Sequence, residues 1–251
     1  MAEQPIIDVS NLTRRFGAHT ALASVSLALP RGAVYGLVGA NGAGKTTLIK
    51  HVLGLLRAEG GSVRVFGLDP VADPVAVLSR IGYLSEENDL PAWMRVDELI
   101  RYSRAFYPAW DDGYAEELRQ TFALDPAAKI KTLSKGQKAR AGLLIALAHR
   151  PELLVLDEPS SGLDPIVRRD ILGAVMRTVA ADGRTVLFSS HLLEEVEQVA
   201  DHVTMISQGR IVLSGPLAAI KESHRVGDRL PSLDEIFVDR VGTSAASGQE
   251  T

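Results

Sequence analysis

Apolar residues along this chain keep two different rhythms. Compact apolar runs at residues 6–9, 21–29, 33–38 and 62–66, and again at 153–156, 185–189 and 203–207, read as strands, while the later runs are separated by helical stretches. Strand and helix in alternation predict an α/β fold around a parallel central sheet. Between residues 91 and 131 the strand signal vanishes. There Val96, Leu99, Ile100 and Ser103, with Tyr102, Phe106 and later Leu118, recur at helical spacing and predict a helical insertion. Seven of the thirteen Phe, Trp and Tyr residues fall between Tyr83 and Tyr114. Trp93, Phe106, Tyr107 and Trp110 could form a dock for another protein, whereas Tyr102 and Phe106 read first as the insertion's own core. Near the end, Ser232 with Glu235 three positions on makes a capping box for a short helix. Residues 241–251 then read as a small, polar, disordered tail.

One junction between the two rhythms carries chemistry. Gly39, Ala40, Asn41, Gly42, Ala43, Gly44, Lys45, Thr46 and Thr47 link the apolar run 33–38 to a helical segment at 48–56, giving strand, glycine loop, helix. Glycines let the loop curl with its N–H groups inward, and the helix start adds partial positive charge where a phosphate would lie. Lys45 can reach phosphate oxygens as a point charge, and the Thr46 hydroxyl can coordinate Mg²⁺. A second motif, the apolar run 153–156, delivers Asp157 and Glu158 at the end of a strand, where open α/β sheets bind ligands. Asp157 would hold the ion or its water, and Glu158 would polarise an attacking water as general base. A third motif, Leu133 to Gln137, places Ser134 as N-cap of a strongly helical stretch at 138–148. Its Ser134 hydroxyl and Gly136 N–H are a second candidate anion site.

Composition limits what surrounds this site. With 251 residues, 46% hydrophobic and 23% charged, the chain can bury a sizeable core in one domain, with room for a subdomain. A net charge of −4 offers no broad basic field, so no nucleic-acid partner is expected. Without cysteine there is neither a disulfide framework nor a thiolate metal site. The first eight residues carry Glu3 and lack a basic start followed by an apolar core, so cytoplasmic residence is the expectation. The longest apolar-plus-glycine run, 141–148, is far shorter than the ~20 residues needed to span a bilayer, so any membrane crossing falls to a partner.

Five motifs in order, residues 39–47, 133–137, 154–159, Ser161 to Asp164, and Ser190 with His191, resemble the nucleotide-binding subunit of ABC transporters, over about residues 7–215. The resemblance implies a phosphate-loop NTPase parallel-sheet core with an antiparallel β subdomain and a helical signature subdomain. It places the ATP-binding domain at 5–240 with the helical part at about 88–150. It implies ATP and Mg²⁺ as ligands, with Gly39, Asn41, Gly42, Ala43, Gly44, Lys45, Thr46 and Thr47 around the phosphates, and Thr46 and Asp157 on the metal. Ser134, Gly136 and Gln137 would contact the γ-phosphate held by a second subunit, identical or paralogous, in a head-to-tail dimer. Asp164 would communicate between the two sites, beside its plain reading in a turn and cap before Pro165. Glu158 and His191 would organise the hydrolytic water, and Phe16 would stack on adenine, its alternative being a core position. The run 81–110 and the short C-terminal extension are most similar to subunits that pair with separate ABC-2-type permeases, commonly exporters, on the cytoplasmic face of the membrane.

Two positions depart from the family pattern. Glu86 stands where glutamine is usual; it keeps an oxygen for the metal, adds negative charge beside Asp157 and Glu158, and is expected to link the ATP site to the membrane partner. Lys135 replaces a common glycine of the signature, facing either phosphate or solvent, with solvent favoured. Two other functions remain on the sequence alone: a soluble mechanical ATPase of the same superfamily, or an ATP-binding regulatory module that does not hydrolyse.

Overall fold

The computed structural model describes residues 4–246. Two sheets and a set of helices make up the molecule. The smaller sheet is antiparallel, in the order β2 (His19–Leu29), β1 (Ile7–Phe16), β4 (Gly60–Val65). The larger sheet has six strands in the order β5 (Ile81–Leu84), β6 (Leu153–Asp157), β7 (Thr185–Ser190), β3 (Val34–Val38), β8 (His202–Ser207), β9 (Arg210–Pro216). Its first five strands run parallel and β9 closes the edge antiparallel to β8.

Strands β3, β6 and β7 are buried along their whole length, as befits parallel strands covered on both faces. Alternate residues supply two cores, because successive side chains of a strand point to opposite faces. Tyr35, Leu37, Leu153, Val155 and Leu187 pack with α1 (Lys45–Val52) and the antiparallel sheet. Val34, Val38, Leu154, Leu156, Val186 and Phe188 pack with α5 (Lys135–Ala148) and α6 (Pro165–Asp182), and α7 (Leu193–Val199) lies on β3 and β7 on the same side. The one-turn α2 (Pro74–Leu78) lies beside β5, and α8 (Leu217–Ser223) and α9 (Leu233–Ala246) follow β9.

The insertion is helical as expected: α3 (Val96–Arg104), α4 (Asp112–Thr121) and a 3₁₀ turn (Ile130–Thr132) lead into α5. Its core is mostly aliphatic, built from Val96, Leu99, Ala115, Leu118 and Ile130 with Phe122 at the end of α4, against α5. This corrects the core placement of Tyr102 and Phe106. They are 51% and 61% exposed, ring edge to ring face at 5.1 Å, and Trp93 is 72% exposed. The helical spacing is present, but Val96 and Leu99 of α3 take the inward face. Tyr107 instead turns inward and stacks on buried His149, with ring centroids 3.8 Å apart.

The C-terminal capping box forms: Ser232 N–H donates to Glu235 Oε2 at 2.8 Å and Glu235 N–H to Ser232 Oγ at 3.3 Å. The helix it opens runs to Ala246 and so takes in 241–246 of the expected tail. No proline interrupts that stretch, and its one glycine, Gly242, costs a helix only about 1 kcal/mol. Residues 247–251 lie outside the described residues.

Candidate nucleotide site

Parallel strands end together, so their C-terminal loops meet along one edge of the sheet. β3 delivers the glycine loop, β6 Asp157 and Glu158, β7 His191, and β5 Glu86. The loop turns into α1 through Gly44, whose φ of 114° suits glycine and whose bare Cα sits against Ala21; an added Cβ would come within 2.7 Å of the Ala21 carbonyl. α1 starts at Lys45, and its first residues, Lys45, Thr46 and Thr47, line the cleft. That cleft measures about 420 Å³ and is lined by Phe16, His19, Asn41, Gly42, Thr46, Thr47, Glu86 and Glu158 among others.

Buried Lys45 is the hub. Its Nζ donates to the carbonyls of Gly39 at 2.6 Å and Ala40 at 3.2 Å, and lies 3.1 Å from Glu158 Oε1 in a buried ion pair. The other oxygen of Glu158 faces His191, 2.7 Å from Nδ1 and 3.3 Å from the backbone N. Lys45, Glu158 and His191 thus form one chain of contacts. Glu158 holds this place with a left-handed backbone, φ 49°, a conformation that costs a residue with a side chain about 1–3 kcal/mol and clusters at functional sites.

Beside it, Thr46 Oγ1 donates to Asp157 Oδ1 at 3.2 Å, and Ser189 Oγ donates to the same oxygen at 2.7 Å. Burial pushes the Asp157 carboxyl above the usual aspartate range, and the charges of Glu158 and Glu86 act in the same direction, while the Ser189 and Thr46 hydroxyls oppose them. The extra negative charge expected of Glu86 is therefore felt at Asp157, though burial is the larger cause. Glu86 itself accepts from Ser161 Oγ at 3.1 Å.

A hydroxyl and a carboxylate oxygen converging beside a phosphate loop suit Mg²⁺, which takes few protein ligands and completes its shell with phosphates and water. No group of three or more His, Cys, Asp or Glu side chains able to hold a metal occurs among the described residues.

Phe16 projects from the end of β1, 46% exposed, with the Arg14 guanidinium 4.8 Å from its ring centre. This removes it from the core and places it on the lining of the cleft. The third motif lies elsewhere. Ser134 caps α5 as expected, accepting from Gln137 N–H at 3.2 Å while Gln137 Oε1 accepts from Ser134 N–H at 2.9 Å. The Gln137 side chain is thereby engaged in the cap. Gly136 is needed for packing, since a Cβ there would meet Val167 of α6 at 2.7 Å. None of Ser134, Gly136 or Gln137 lines the cleft. Lys135 is exposed, its ammonium lying over Gly162, and Asp164 caps α6 by accepting from Ile166 and Val167 N–H at 3.0 and 3.1 Å.

Sequence reasoning missed the serines and the acid that hold these groups. Ser189 Oγ also accepts Glu158 N–H at 3.0 Å, so one hydroxyl fixes both strand-end acids. Its signal was a polar residue closing a buried strand. Glu195, buried on α7, left no signal among Glu194, Glu195 and Glu197.

Fold and site together define a phosphate-loop nucleoside triphosphatase of the cassette type. The ABC transporter family model matches residues 22–161, more than half of the chain, and the chain belongs to that family. It is an ATP-binding subunit of an ABC transporter and an ATPase. Among curated relatives, it is 35% identical over 225 residues to the daunorubicin/doxorubicin resistance ATP-binding protein DrrA of Streptomyces peucetius, covering 86% of this chain and 67% of that one. It is 32% identical over 222 residues to the bacitracin transport ATP-binding protein BcrA of Bacillus licheniformis, covering 88% and 72%. A solved ATP-binding subunit of an ABC transporter superposes with a TM-score of 0.85 at 28% identity, covering 94% of this chain and 99% of that one. The dimeric bacterial cassette MJ0796, 21% identical with a TM-score of 0.76 over 84% of this chain and 98% of that one, shares the fold.

Proposed function

We propose that two ATP-binding chains close head to tail on two molecules of ATP and that this closure drives a separate membrane permease of the ABC-2 type, in the direction of export. The observation that carries the reading is the separation of two anion-binding helix starts. The cleft is lined by the glycine loop, Lys45, Thr46 and Glu158, while Ser134 and Gly136 lie outside it on the same chain. A second chain would supply them to complete each site. The dimeric structure of MJ0796 supports the pairing of two chains, and the names of DrrA and BcrA, for drug resistance and bacitracin transport, support export. No helix among the described residues is long and apolar enough to cross a membrane, which supports a partner that spans it and a place for this chain on the cytoplasmic face.

The chain's own groups divide the work. Loop amides and the Lys45 ammonium bind the phosphates, and Phe16 stacks on the base. Thr46 and Asp157 would hold Mg²⁺, which when bound neutralises charge on the phosphate oxygens. Glu158 accepts the proton of the attacking water as general base. His191, whose Nδ1 faces Glu158, orients that carboxylate. Exposed Trp93, Tyr102 and Phe106 are the surface through which the helical subdomain meets the permease. Glu158→Gln is expected to retain ATP binding, to lose turnover by a factor of about 100 or more, and to form a dimer with ATP. A variant that turned over normally, or stayed monomeric with ATP even with its membrane partner supplied, would overturn the proposal.

A further inference from the structure

Glu195 is a carboxylate only 3% exposed, and its partners come from three separate segments. Ser160 Oγ donates to its Oε2 at 2.6 Å and Ser190 Oγ donates to the same oxygen at 2.9 Å. Arg168 Nε forms an ion pair with Oε1 at 3.0 Å. Ser160 lies two residues after Glu158, in the loop that continues through Ser161 and Asp164. Ser190 immediately precedes His191, and its Oγ also accepts Leu192 N–H at 3.0 Å, so it fixes the backbone on both sides of the histidine. Arg168 stands in the first turn of α6, the helix that Asp164 caps.

A buried charge persists only where its partners replace the water it has lost. Those partners need only have been nearby polar groups. Here each belongs to a segment that carries a part of the site: the turn after the general base, the turn that holds the switch histidine, and the helix start at the far end of the Ser161–Asp164 loop. Both hydroxyls use the same carboxylate oxygen, so displacing either loop changes the bond to the other.

From this geometry we infer that Glu195 is a positioning residue that ties the Ser160–Asp164 loop to the His191 turn, so that the two move as one unit when the second ATP-binding chain docks against that loop. The inference rests on the dimer reading above and adds a route by which the partner's arrival reaches His191. Glu195 touches neither the cleft nor the nucleotide-binding groups, and its effect passes through Ser160 and Ser190.

The test uses the full chain, with its membrane partner where available, and the variants Glu195→Gln, Ser160→Ala and Ser190→Ala. Glu195→Gln is expected to lower kcat about tenfold while ATP Kd and KM stay within about twofold. Ser160→Ala and Ser190→Ala are each expected to lower kcat severalfold, with no further loss when combined with Glu195→Gln. In the NMR spectrum the imidazole resonances of His191, assigned through His191→Gln, should shift in Ser160→Ala, although the structure gives the two residues no direct bond. A Glu195→Gln protein with wild-type kcat, or kcat losses that simply multiply in the double variants, or an unmoved His191 signal in Ser160→Ala, would overturn the inference. Wild-type protein without ATPase activity would instead refute the underlying function, so the two failures are distinguishable.

Discussion

The glycine loop ahead of α1 and the capped start of α5 are two helix starts whose sequences suggest anion sites, yet they are built in opposite senses. At the first, Lys45 is buried among two carbonyls and Glu158, and Asp157 and Glu158 arrive together at the end of β6, two strands away from β3. At the second, the serine hydroxyl and the glutamine side chain are engaged with each other, the glycine serves the contact with α6, and Ser134 and Lys135 face outward. One helix start is enclosed by groups of its own chain, and the other faces outward. Similar local sequence signals therefore do not imply equal completeness; the strand ends around each decide that.

The largest effect should come from the inward site. Lys45→Ala removes the phosphate's point charge and leaves Glu158 buried without its cation; ATP affinity, measured by calorimetry, is expected to fall about 100-fold, roughly 3 kcal/mol. Affinity within threefold of wild type would show that the loop amides alone suffice.

Next is the far end of α5, moored by His149, whose Nε2 lies 3.1 Å from the Ile81 carbonyl of β5. Burial keeps this imidazole neutral, with its pKa pushed down to about 4 from 6.5. The unfolded chain takes up the proton below about 6.5 and the folded chain only near 4, so the contribution is complete above 6.5 and is lost as pH falls through that window. Up to about 3 kcal/mol of unfolding free energy is expected to go. Denaturant titrations at pH 7.5 and 4.5 measure this, and His149→Phe should lose that part of the slope; an identical slope would rule out His149 as its source.

Gly136→Ala separates packing from phosphate binding at the outward site. The added methyl presses on Val167 and should cost about 1–2 kcal/mol of stability, while ATP binding by the single chain stays within twofold. Val167→Ala in the same chain is expected to restore Tm; failure to do so would show that the close approach is not what the glycine serves.

The smallest effect is Ser134→Ala, about 1 kcal/mol from the lost cap. A turnover loss much larger than that, with unaltered ATP binding to the isolated chain, would be the mark of a second chain using the hydroxyl.

What the sequence made legible follows from how local each signal was. The loop, the strand-end acids and the Ser134 cap each lie within one short window, and the structure places them as read. β5 and β9 went unread for physical reasons. β5 has four residues with Gly82 inside, against strand propensity, and β9 is an edge strand with no fully buried residue. Tyr102 and Phe106, four apart, satisfy an inward and an outward face of a helix equally well, and only the packing of α3 and α4 against α5 decides between them. Glu195 is invisible for the opposite reason, because its three partners lie 35, 27 and 5 positions away and meet only in the folded sheet.

The left-handed turn at Glu158 sets durability against output at a single peptide unit. Glycine or asparagine would rest there more comfortably, but neither carries an acid. A more heat-tolerant version of this protein found by selection for folding alone would therefore be drawn toward losing its engine at that residue, and any effort to toughen it should hold position 158 fixed and seek its gains elsewhere.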